Sequence, residues 1–352
     1  MSLKPLQIGD LTVPVPIIQG GMGVGISLHR LAGNVAKEGG IGIISTAQCG
    51  FPLDNFKTDT LQSNLDAIEK EFKAAKEIAG DGIVGFNIMV ASFSYEEIVK
   101  QCVKVGADVI ISGAGLPTSL PEYVAGSKAK IAPIISSGRA AKILLKHWSK
   151  HYNRTADFIV IEGPLAGGHL GFKKDHLQEA IETMDEEVTK IIAVVKDFEE
   201  EFNVHIPVIF AGGVFNRSDI DHYMGLGCEG VQMATRFVCT EECDAPDDYK
   251  ERYLNAKKED VEIITSPVGM PGRAIKNKFS ELTKTHNIPT SKCNRCLDKK
   301  LCDSKTNPYC ISTALINAVT HHTDDAILFA GANVYRVNEM TTVHELMKEL
   351  CD

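Results

Sequence analysis

The residues best suited to chemistry lie in Ala166-Gly167-Gly168-His169-Leu170-Gly171. A histidine can exchange a proton near neutral pH. Two glycines before it let the main chain come close to a planar or anionic ligand, because no Cβ intervenes. The apolar run Ile159-Val160-Ile161-Glu162 leads into this turn and reads as a buried strand ending in a carboxyl group. A histidine satisfied within a turn is the bland alternative.

Two further glycine- and amide-bearing turns stand out. Gly212-Gly213 follows Pro207 to Ala211, and Ala234-Thr235 follows Gly230-Val231-Gln232-Met233. Main-chain N–H groups at such turns are suited to a phosphate, although paired glycines also serve simple tight turns. Earlier apolar runs end in Gly20-Gly21-Met22, Thr46, Asn87, Ser112-Gly113 and Ser137. The glycine spacing of the dinucleotide fingerprint occurs at Gly80 to Gly85 and Gly225 to Gly230. Both precede a strand instead of opening a helix, so both read as helix stops.

Cys293, Cys296, Cys302 and Cys310 form a C-x2-C-x5-C-x7-C cluster. This spacing suits zinc or an iron–sulfur cluster, and equally four reduced thiols. His147 and His151, at i and i+4, lack a third ligand and read as a solvated face. Arg273 and Lys276, after the breaker cluster Gly269 to Gly272, suit a ligand phosphate or a solvated helix start.

The elements that position these residues alternate. Strands are expected at Pro16 to Met22, Gly42 to Thr46, Ile83 to Val90, Val109 to Gly113, Ile131 to Ser137, from Ile159, Pro207 to Gly213, and Gly230 to Phe237. Helices are expected at Leu28 to Glu38, Leu61 to Ala79, Tyr95 to Val105, Ala140 to His151, Asp175 to Phe202 and Asp219 to Met224, with a weak one at Pro121 to Val124. Near-continuous apolar strands alternating with helices imply a parallel sheet, and eight such units imply a closed (β/α)8 TIM barrel, an α/β fold. Its working residues belong at the strand C-termini, where the turns above fall. The expected organisation is a barrel over residues 1–240 and a C-terminal lid or cap over 241–352 that packs back on it, Phe329 to Arg336 forming part of the lid.

Composition narrows the function. A net charge of −9 without a basic stripe argues against nucleic acid. No apolar run is long enough to span a membrane. No signal peptide is apparent, and six scattered cysteines suggest a reducing compartment, so the expected location is cytoplasmic.

The motif at 166–171, with Val208 to Gly213, Gln232 to Phe237, Ile18 to Met22 and Gly85-Phe86-Asn87, closely resembles the nitronate monooxygenase family, formerly 2-nitropropane dioxygenase. That family shares ancestry with the flavin-dependent enoyl-acyl carrier protein reductase II. The resemblance implies a TIM barrel with a lid and non-covalent FMN. It implies that Gly20, Gly21 and Met22 lie along the flavin and that Asn87 bonds its ring or ribityl chain. Glu162 stands where many members carry glutamine. Gly167 and Gly168 would pass close to the ring, and Gly212, Gly213, Gln232, Met233, Ala234 and Thr235 would cradle the phosphate. His169 would be the catalytic histidine.

Three functions follow as expectations. The first is oxidation of alkyl nitronates with oxygen. The second is reduction of an enoyl thioester, with NAD(P)H reducing FMN; Arg273 to Asn277 resembles that branch. The third is a flavin- or metal-binding redox sensor built on the thiol cluster. A small-molecule substrate is implied throughout, and a homodimer is compatible with each reading.

Overall fold

The computed structural model describes residues 3–289, 293–298, 302 and 307–352. A hairpin of β1 (Leu6–Ile8) and β2 (Leu11–Val13) precedes the barrel strands β3 (Ile17–Gln19), β4 (Ile41–Ser45), β5 (Ile83–Met89), β6 (Val109–Gly113), β7 (Lys130–Ile135) and β8 (Ile159–Glu162). A short β9 (Gly168–His169) follows, then the barrel strands β10 (Val208–Ala211) and β11 (Gly230–Met233). The eight barrel strands close in the order β10-β11-β3-β4-β5-β6-β7-β8, and every pairing round the ring is parallel. This is the (β/α)8 TIM barrel expected from the alternation.

Strand residues alternate between two cores, as a period of two requires. Ile159 and Ile161 of β8 pack outward with the helices, while Val160 faces the barrel interior with Ile18, Ile43, Val109 and Ile209. Both faces are buried, which is why the strands read as unbroken β-branched runs. Leu6, Ile8 and Val13 of the hairpin join the inner cluster, and these residues plug the floor of the barrel. The helix His29–Lys37 lies close against β4: a Cβ on Gly42 would sit 1.8 Å from Ala32 O.

Two expected elements differ. The helix foreseen over Asp175 to Phe202 is a 3-10 turn, Lys174–His176, followed by helices Leu177–Glu182 and Met184–Phe202. The break falls at Thr183, whose N–H still makes the helical bond to Glu179 O while its hydroxyl shares that acceptor, and Asp185, Glu186 and Glu187 open a new first turn. The last barrel strand stops at Met233 rather than Phe237, because Ala234 leaves the extended region and caps the helix Thr235–Val238.

After the barrel come β12 (Val261–Thr265), β13 (Pro271–Ile275) and β14 (Leu328–Phe329). They form an antiparallel sheet in which β9 also pairs with β13, so the loop after β8 supplies one strand and the C-terminal segment the other three. The helix Val343–Cys351 returns to the barrel, where Leu346, Met347 and Leu350 join the outer core. No helix among the described residues is long and apolar enough to cross a membrane.

Candidate active site

The C-terminal ends of the barrel strands open beneath this antiparallel sheet. Gly20 is tied to β11 through its N–H to Met233 O at 2.7 Å. Gly21 must be glycine: a Cβ there would lie 2.3 Å from Asn87 Cβ. Asn87 ends the β4–β5 register opposite Ser45, and its carbonyl accepts both the N–H and the hydroxyl of Thr46. Met22 is held by Ser27, whose Oγ accepts its N–H at 2.7 Å. On the far wall Gly212 and Gly213 have φ values of +99° and +94°, conformations glycine adopts without strain.

Several polar groups here have no protein partner. Gln232 Oε1 is buried without a hydrogen bond. Among the described residues, the N–H groups of Gly212, Gly213, Ala234 and Thr235 reach no acceptor. Native proteins satisfy such groups, so the open N–H groups mark a place for a ligand's acceptor atoms and Gln232 Oε1 a place for a ligand donor. Four open amides fit the phosphate of a flavin nucleotide. The residues present therefore fit FMN. Met233 contributes only main chain, its side chain lying in the outer core.

His169 hangs from the roof. It pairs with Gly272 across β9 and β13, and Phe329 of β14 meets its ring edge-on at 5.0 Å between centroids. Its Nε2 lies 2.6 Å from Ser266 Oγ. Burial pushes the imidazole down to about 4, so it is neutral at pH 7. Glu162 moves the other way: burial raises its carboxyl to about 7 against one hydrogen bond from Gly171 N–H. The tail after β14 clasps the mouth, with Gly331 N–H to Thr235 Oγ1, Ala332 N–H to Leu165 O and Asn333 Nδ2 to Gly213 O.

Other expected residues have structural partners. Ser112 bonds Ile88 O and Tyr95, and Ser137 caps the helix Gly138–Tyr152. Lys276 pairs with Glu281 at 3.5 Å on the surface. Arg273 is buried, donates to Ala166 O, and has no acidic partner among the described residues; burial lowers its guanidinium to about 10. Ser266 was missed by sequence reasoning, because a lone serine before Pro267 carries no signal until the fold brings it to His169.

Of the four clustered cysteines, Cys293 is exposed and Cys296, Cys302 and Cys310 are half-buried. Arg295 N–H donates to Cys293 Sγ at 3.4 Å, and Asn307 Nδ2 to Cys302 Sγ at 3.2 Å. Burial pushes Cys296 up to about 12, with the Cys310, Cys302 and Cys293 thiols adding to the rise. Among the described residues, no group of three or more His, Cys, Asp or Glu is arranged to hold a metal ion.

The nitronate monooxygenase family model matches residues 4–352. The chain belongs to that family. A probable nitronate monooxygenase of Staphylococcus saprophyticus is 27% identical over 299 residues, 79% of this chain and 80% of that protein. A Mycobacterium tuberculosis protein, (3aS,4S,5R,7aS)-5-hydroxy-7a-methyl-1-oxo-octahydro-1H-indene-4-carboxyl-CoA dehydrogenase, is 29% identical over 76% of this chain and 64% of its own length. Among solved structures, FabK of Thermotoga maritima superposes with a TM-score of 0.73 at 23% identity, covering 96% of this chain and 92% of that one. Nitroalkane oxidase of Streptomyces ansochromogenes gives 0.71 at 18% identity, covering 96% and 95%. These two likenesses support the fold. Nitronate monooxygenase family members are flavin-dependent oxidoreductases, and this chain is an enzyme of that class.

Proposed function

We propose that this enzyme oxidises alkyl nitronates, or the nitroalkanes from which they derive, with oxygen, using FMN. Gly20, Gly21, Met22, Asn87, Glu162, Gly167 and Gly168 would hold the ring, and Gly212, Gly213 and Gln232 to Thr235 the phosphate. The bound flavin would supply the electron-accepting chemistry. One observation supports the reading: the imidazole of His169 is kept uncharged by burial and is held at Nε2 by Ser266 Oγ, in the loop that follows the barrel strand β8. A neutral imidazole is a base at working pH. In the tautomer whose Nε2–H donates to Ser266 Oγ, Nδ1 carries the lone pair that would take the proton from the carbon beside the nitro group.

A second reading, NAD(P)H-dependent reduction of an enoyl thioester, draws support from two facts. Arg273-Ala274-Ile275 lies in the strand that pairs with His169, and the Mycobacterium tuberculosis relative acts on a carboxyl-CoA thioester. Anaerobic absorption spectra separate the two. Bleaching of bound flavin by a propyl nitronate, with no response to NAD(P)H, supports the first. Bleaching by NAD(P)H that a crotonyl thioester reverses overturns it in favour of the second.

A further inference from the structure

A carboxyl group closes the barrel strand that leads to His169. Glu162 is the last residue of β8, in register with Ala211 of β10. Its Oε2 accepts the N–H of Gly171 at 3.0 Å, a bond that folds the chain just beyond His169 back over the strand end. The packing is tight: a Cβ on Gly171 would lie 2.6 Å from Ser136 Oγ and 3.2 Å from Glu162 Oε2. Among the described residues no second hydrogen bond and no cation reaches the carboxyl. β7 leads to Ser136 and β10 to Ala211, both uncharged. The roof brings neutral His169, and the Arg273 guanidinium of β13 is turned to Ala166 O. A carboxylate in such a place lacks the two or three donors that usually stabilise one.

We propose that Glu162 is a second catalytic residue, a protonated carboxyl that donates a hydrogen bond to the substrate oxygen on which negative charge gathers as His169 removes the neighbouring proton. The inference rests on the flavin-dependent reading above. The substrate class is a carbon acid whose activating group ends in an acceptor oxygen, such as a nitroalkane or a thioester. The carbon–hydrogen bond breaks, the proton goes to the His169 ring, and the electron pair stays on the substrate and spreads to that oxygen. Glu162 keeps its own proton throughout, so this step needs no oxidant. Buried neutral carboxyls are effective donors to such oxygens, whereas an ionised one would repel them.

The two groups then work in reversed order. His169 is a base above about 4, and Glu162 is a donor below about 7. The acid limb of the rate profile belongs to the imidazole and the alkaline limb to the carboxyl, opposite to their ordinary values.

The test measures kcat/KM for 1-nitropropane from pH 4.5 to 9 with the FMN-loaded wild type, Glu162→Gln and Glu162→Ala. Glu162→Gln keeps a donor, so its rate at pH 6 falls by about tenfold at most and the alkaline limb near 7 disappears. Glu162→Ala falls by about 10²–10³ at pH 6. Infrared spectra without substrate supply a readout independent of turnover. They show the C=O band of a buried carboxylic acid at pH 6 that vanishes at pH 8.5 and is missing from Glu162→Gln. An active Glu162→Gln enzyme that retains the alkaline limb, or a wild type without that band, overturns the proposal alone. A protein that binds no flavin and turns over neither a nitroalkane nor a thioester overturns the reading on which it rests.

Discussion

His169 Nε2 and Ser266 Oγ stand 2.6 Å apart although 97 residues separate them in the chain. The histidine comes from the loop after β8 and the serine from the end of β12, and β13 holds the two segments together. This bond orients the ring. Ser266→Ala removes a bond worth about 0.5–1.5 kcal/mol, and kcat falls about 2- to 10-fold with flavin content unchanged. His169→Ala removes the proposed base and is expected to lower kcat/KM by about 10²–10⁴. Steady-state kinetics on both variants check the contrast; equal losses would mean that Ser266 acts in its own right.

Stability against pH carries a signature of the same site. The imidazole is depressed from 6.5 to about 4 on folding, so between those values the unfolded chain binds the extra proton and stability rises with pH. The Glu162 carboxyl is raised from 4.5 to about 7, so its contribution is present below 4.5 and is lost as pH rises through 7. Between about 4.5 and 6.5 the two slopes oppose each other. Relative to the wild type, Glu162→Gln gains stability as pH rises through this window, by at most about 1.4 kcal/mol per unit, because the carboxyl's falling contribution is removed. Relative to the wild type, His169→Asn loses stability as pH rises from about 4 to 6.5, because the imidazole's rising contribution is removed. Urea unfolding at half-unit intervals checks both, and parallel curves for the two variants would refute the opposition.

Gly167 is fixed by contact. A Cβ there would lie 2.5 Å from Ala330 C and 2.6 Å from Gly331 N, main-chain atoms of the clasping tail. Gly167→Ala must push that tail away. A loss of about 1–3 kcal/mol is expected, as for other overpacked positions, together with weaker FMN retention. Thermal unfolding and flavin content after gel filtration measure the two effects.

Thiol reactivity follows burial. Cys49, Cys228, Cys239 and Cys243 are buried and pushed up to about 12, whereas Cys293 is exposed. Iodoacetamide at pH 7.5 alkylates Cys293 first and leaves those four unmodified in the native protein. Peptide mass mapping reads the order. Joint protection of Cys293, Cys296, Cys302 and Cys310, released by a chelator, would reverse it and reveal a bound metal.

Much of this was legible beforehand because the barrel writes itself in periodicity. Runs such as Ile159-Val160-Ile161 are buried on both faces, and polar or glycine residues fall where each strand ends. The break at Thr183 was not legible, since Thr183 lies between two helices that share one apolar face and hydroxyl competition for Glu179 O leaves no mark in the pattern. Ser266 and Gly331 were hidden for a different reason: their partners, His169 and Thr235, are distant in sequence. The reversal of Glu162 and His169 comes from desolvation, a property of surroundings that no residue name contains.

The roof sheet also sets a timetable for biosynthesis. Every strand of the barrel is synthesised by residue 233 and clears the ribosome before the chain is complete, so the cylinder can close while the chain is still growing. The histidine then has no companion strand, since β13 and β14 come later, and Asn333, which locks Gly213, comes later still. A chain that ended near residue 240 would lack the roof strands that hold the histidine and would be catalytically mute.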